Sequence, residues 1–61
     1  MKKTSVLLVD DHTLIRAGLR MVVDAEHDLT VVGDANDWRE AVAMAGSLKP
    51  DVVVMDFGIR K

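Results

Sequence analysis

Two short apolar runs in this chain end in acid. Val6-Leu7-Leu8-Val9 runs into Asp10-Asp11, and Asp51-Val52-Val53-Val54-Met55 runs into Asp56. If both runs are parallel strands of one sheet, three carboxylates meet at one sheet edge. Two carboxylates about 4 Å apart repel by about 4 kcal/mol at an effective dielectric near 20. Such a cluster requires a cation, a shared proton or a positive partner.

The elements that would position these acids follow from hydrophobic spacing. Residues 5–9 read as a strand. Residues 12–26 read as a helix, because Leu14, Ile15, Gly18, Leu19, Val22 and Val23 recur at three- and four-residue intervals. Asp11 or the residue after it is expected to cap its start. Residues 29–33, Leu-Thr-Val-Val-Gly, read as a second strand. Residues 37–48 read as a second helix, capped by Asn36 or Asp37, with Asp37 and Glu40 at capping-box spacing. Its apolar face is Ala41, Val42, Ala45 and Leu48, and Pro50 forbids continuation. Residues 51–56 read as a third strand.

Strands alternating with helices imply an α/β fold with a parallel sheet and right-handed crossovers. The first and third strands are unbroken apolar runs, as expected of strands covered on both faces. The second is more mixed and suits an edge. A three-stranded sheet of order 2-1-3 satisfies both observations and puts one helix on each face.

Size and charge limit the function classes. Sixty-one residues make one domain at most, near the lower limit for folding alone. There is no cysteine, so a metal or a partner is left as the added support. Eight Lys and Arg stand against ten Asp and Glu and form no basic stripe. One Trp and one Phe make no stacking platform, which argues against nucleic-acid binding by this chain alone. No apolar run approaches the roughly 18 residues of a membrane span. A cytoplasmic protein is the expectation.

The ordered motifs resemble the receiver domain of two-component response regulators, which has a CheY-like, flavodoxin-like fold. The residues that carry the resemblance are Val6 to His12, Val31-Val32-Gly33-Asp34-Ala35, Glu40-Ala41-Val42, and Lys49-Pro50-Asp51-Val52-Val53-Val54-Met55-Asp56. His12-Thr13-Leu14-Ile15-Arg16-Ala17-Gly18-Leu19-Arg20 is especially similar to the subfamily that carries a LuxR-type helix-turn-helix domain. The resemblance spans nearly all of residues 1–61 and corresponds to the first, βαβαβ half of such a domain. It implies that Asp56 accepts a phosphoryl group from a histidine kinase. It also implies that Asp10 and Asp11, with Asp56, hold Mg²⁺, and that the Gly58 backbone carbonyl is a further metal ligand. A hard, oxygen-preferring ion held by carboxylates and a phosphate agrees with that set.

The sequence departs from the family pattern in places. Arg60 stands where a Pro is expected, and Trp38 where Gly is common. The family's strand-4 Ser or Thr and strand-5 Lys have no counterpart, so impaired phosphotransfer is expected. His12 reads as a first-turn residue without special chemistry, and Arg16 and Arg20 as a solvated helix face. A third strand of central composition with an open outer edge is a template for pairing. A homodimer through residues 51–56 is therefore expected, and the alternative function is a non-catalytic module that self-associates there. A haloacid-dehalogenase-like phosphatase needs a second Asp two residues after the nucleophile, where Gly58 stands. A dinucleotide site needs a Gly-x-Gly after the first strand, which is missing.

Overall fold

A computed structural model describes residues 2–55. Five elements follow one another: β1 (Thr4–Val9), α1 (Thr13–Asp24), β2 (Leu29–Ala35), α2 (Trp38–Leu48) and β3 (Val52–Met55). The strands form one parallel sheet in the order β2-β1-β3, with β1 at the centre. The expected order is therefore the observed one. The two helices touch the sheet and not each other, because they cover opposite faces.

Burial follows from that order. Val6, Leu7, Leu8 and Val9 are all buried, since β1 has a strand on each side and a helix over each face. Leu7 and Val9 meet Ala35 and Ala41, with Met44 and Ala45 packed against them. Val6 and Leu8 alternate to the α1 face. Leu7, Leu8 and Val9 are the largest fully buried side chains among the described residues.

β2 runs two residues further than its apolar run suggests. Val6 pairs with Val31, but Leu7 pairs with Gly33, so Val32 is an extra residue that bulges the strand. Gly33 lies under α2. A Cβ built there would stand 2.7 Å from Met44 Cε and 2.9 Å from Leu48 Cδ1. Glycine thus lets α2 lie close to the sheet, and does not mark the strand's end.

The α2 ends obey the sequence signals. Asp37 is the N-cap and accepts a hydrogen bond from the Glu40 N–H at 2.8 Å. Glu40 reaches back to accept from the Asn36 N–H at 3.1 Å, one residue before the N-cap. Lys49 closes the helix in the left-handed conformation (φ 48°), and Pro50 follows.

Two expectations about exposure differ from the structure. The apolar stripe of α1 is wider than the surface it covers. Leu19 and Val23 are half-buried, whereas Leu14, Ile15 and Val22 are exposed, Leu14 to 84%. All four β3 residues are exposed as well, between 37% and 44%. Among the described residues β3 has a neighbour on one side only, and α2 sits over β1 and β2, not over β3. The gap is an apolar groove lined by Trp38, Ala41, Val42, Ala45, Val53 and Met55.

Candidate functional site

The C-terminal end of β1 builds the site. Asp10 continues the ladder past the strand, its N–H donating to the Ala35 carbonyl at 3.1 Å. That bond keeps Asp10 beside β2, and the residue is only 2% exposed. The chain then turns into α1. Asp10 Oδ1 accepts the His12 N–H at 2.8 Å, an Asx-type turn that closes the strand-to-helix link.

His12, not Asp11, is the N-cap residue of α1, and its side chain makes no capping bond. The reason is that its ring is engaged elsewhere. Nδ1 lies 3.0 Å from Asp10 Oδ1 and 2.9 Å from Asp11 Oδ1. His12, expected as a first-turn residue without special chemistry, stands at the N-cap with its imidazole against both carboxylates. Spacing alone does carry one hint, because Asp at i bonding the backbone at i+2 is the ordinary Asx geometry.

The electrostatics favour a charged Asp10. The His12 backbone N–H holds its carboxyl below the usual aspartate range; burial opposes this, and the His12 ring and Arg16 reinforce it. Among the described residues no buried side-chain nitrogen or oxygen lacks a hydrogen-bond partner. Burial of this acid is therefore compensated rather than strained.

Arg16 and Arg20, read as a solvated face, have partners there. Arg20 pairs with Asp34 at 2.8 Å, and Arg16 donates to the Asn36 side-chain oxygen. Both link α1 to the end of β2. This accounts for Asp34 within a strand, since the bulge turns it to the α1 side opposite Leu8.

Asp10, Asp11 and His12 each offer one ligand atom, and these atoms lie within 4.8 Å of one another. Two carboxylates, one buried and one part-exposed, make a donor set that fits a divalent cation. Asp56 and the Gly58 carbonyl, also expected in this site, lie outside the described residues. The register pairs Val9 with Met55, so β1 and β3 end side by side.

Comparison with known proteins agrees with this fold. The family model described as the response regulator receiver domain matches residues 6–61. The transcriptional regulatory protein LiaR of Bacillus subtilis is 47% identical over 51 residues, covering 84% of this chain and 24% of LiaR. The nitrate/nitrite response regulator protein NarL of Escherichia coli is 34% identical over 55 residues, covering 90% of this chain and 26% of NarL. The chain thus spans about a quarter of the length of the curated relatives it matches. The crystal structure of the response regulator domain of Thermotoga maritima CheB superposes with a TM-score of 0.93 at 42% identity, over 98% of this chain and 45% of that one. With its β2-β1-β3 sheet, its acid-tipped central strand and a family match over most of its length, the chain belongs to the response regulator receiver domains of two-component signalling.

Proposed function

We propose that this chain acts as a phosphoacceptor module whose acidic site holds Mg²⁺. Asp56 is the acceptor. Asp10, Asp11 and Asp56, with the Gly58 carbonyl, hold the ion, and a histidine kinase is the phosphoryl donor. One Asp56 carboxylate oxygen attacks phosphorus, the P–N bond to the donor imidazole breaks, and a P–O bond forms to give an aspartyl-phosphate. When bound, the ion neutralises charge on the transferring phosphoryl group. The module takes one phosphoryl group and has no turnover of its own. Transfer is impaired where the hydroxyl and ammonium groups expected from strands 4 and 5 are not supplied. The setting of such a reaction is the cytoplasm, and no described helix is long and apolar enough to cross a membrane.

The observation that carries this reading is the buried Asp10 carboxylate, held charged beside Asp11 at the end of the central strand. The β1–β3 register supports a place for Asp56 next to it. Incubation with Mg²⁺ and acetyl phosphate is expected to add the mass of one phosphoryl group, acid-stable and base-labile. Asp56→Asn removes that addition. No mass increase in the unmodified chain refutes the acceptor role.

A second reading rests on a different observation, the four exposed apolar residues of β3 beside the groove. In this reading the chain is a non-catalytic interaction module. Two copies pair β3 antiparallel about a two-fold axis into a six-stranded sheet. Light scattering decides it: a well-folded monomer at micromolar concentration refutes the homodimer.

A further inference from the structure

We propose that the apolar groove between α2 and β3 is closed by the chain's own residues 56–61, with Phe57 and Ile59 as the side chains that enter it. The inference goes beyond the acceptor reading of Asp56 and does not depend on phosphorylation.

The groove has an apolar wall from each element. Trp38, Ala41, Val42 and Ala45 line it from α2, and Val53 and Met55 from β3. Val53 and Met55 share a sheet face because they are two residues apart. Trp38 and Val42 stay about half exposed, at 48% and 55%. Covering such side chains removes apolar surface from water, which favours an apolar occupant.

The course of the chain selects that occupant. Met55 lines the groove and ends β3, so Asp56 starts at the groove's mouth. α2 follows β2 and runs back against the parallel strands, which puts its first residue, Trp38, at the same end of the sheet. The wall from Trp38 to Ala45 is about 10 Å long, and the six residues from Asp56 to Lys61 span up to about 20 Å. Their polarity alternates. Phe57 and Ile59 are in phase with Val53 and Met55, while Asp56, Gly58 and Arg60 are in the other phase. Phe57 then stands at the mouth beside Trp38, and Gly58 permits the turn that brings Ile59 back into the groove. The Val9–Met55 pairing keeps Asp56 in phase with Asp10, so the docked pair also holds that acid on the side of the acidic site. A second copy paired edge to edge through β3 extends the sheet and leaves this groove uncovered.

Trp38 is the chain's one tryptophan, so its fluorescence reports on the groove. Iodide is expected to quench it about twofold less in the unmodified chain than in a Phe57→Ser, Ile59→Ser double variant, because the docked segment shields the ring. Dilution should not change that protection. Nuclear Overhauser contacts between the Ile59 methyl groups and the Trp38 ring should appear in the unmodified chain, and they read the docking even if the double variant loses its circular dichroism. Absence of those contacts, or equal quenching in the two folded chains, overturns the proposal. Protection that fades on dilution assigns the groove to a second copy and overturns it too. Protection without phosphoryl uptake leaves the docking standing and refutes the acceptor role; uptake with an unprotected Trp38 does the reverse.

Discussion

Ser5 and Asp51 hold each other through four hydrogen bonds at the start of β1 and β3. Asp51 Oδ2 accepts the Ser5 N–H at 2.8 Å and the Ser5 hydroxyl at 3.0 Å. In return, the Asp51 N–H is shared between the Ser5 carbonyl at 3.0 Å and Ser5 Oγ at 2.9 Å. The clamp lies one residue before the Val6–Val52 pair, so it sets the register that carries β3 to the acidic end of the sheet. A one-residue slip would turn every β3 side chain to the other face.

The clamp makes a pH prediction. Hydrogen bonds from the Ser5 backbone, then from its hydroxyl, hold the Asp51 carboxyl below the ordinary aspartate value, against a smaller opposing effect of burial. A lowered folded-state pKa contributes stability above the unfolded value, and this is lost as pH falls through the folded one. Asp10 shifts in the same direction and adds to the effect. Urea unfolding from pH 6 down to about pH 2 should show stability declining with acid, and Asp51→Asn should flatten that decline. An equally steep decline in the variant would refute the clamp's part in it.

Core size against surface charge gives a second prediction. Leu7 is fully buried in the α2-side core, so Leu7→Ala should cost about 2–5 kcal/mol. The Arg20–Asp34 pair is roughly half-exposed at both ends, so Arg20→Ala should cost less than about 1 kcal/mol. A small core rarely supplies more than about 3–5 kcal/mol in total. Leu7→Ala should therefore abolish the folded circular dichroism signal, while Arg20→Ala retains it.

Gly33 should tolerate alanine but not a larger side chain. Alanine meets the far ends of the Met44 and Leu48 side chains, which can swing aside, so its cost is small. Valine needs room the packed helix lacks and should cost about 1–3 kcal/mol by overpacking. Thermal unfolding of Gly33→Ala and Gly33→Val orders them in this way; equal midpoints would argue against the close approach of α2.

Lys49 offers a stabilising change. A left-handed conformation costs a residue with a Cβ roughly 1–2 kcal/mol, which glycine avoids. Part of that gain is offset by the greater freedom of an unfolded glycine. Lys49→Gly should raise the thermal midpoint by the equivalent of up to about 1 kcal/mol. A lowered midpoint would show that the Lys49 side chain supports the helix end.

The elements differ in how plainly the sequence announces them. β1 and α2 carry their own evidence: an unbroken apolar run, and a helical stripe bounded by Asp37 and Pro50. β2 does not, because Gly33 and Asp34 look like a strand's end when read along the chain. They are strand residues because α2 packs over one and Arg20 reaches the other. For the site, the acids at the end of β1 are legible as such in the sequence. The contact of the His12 ring with both is not.

The chain's own periodicity determined the element order, the parallel sheet and the 2-1-3 arrangement. Those depend on local spacing and on the handedness that every β-α-β crossover shares. Only the tertiary structure decided the rest: that Val32 bulges, that Leu14 and Val22 face outward, that Ser5 finds Asp51 across 46 positions of sequence, and that one imidazole nitrogen sits about 3 Å from two carboxylates. The physical reason is that these depend on distances through space between groups whose sequence spacing carries no record of them. Partners are chosen by the surface each helix happens to cover, and among the described residues the strands cover only part of each helix's apolar stripe.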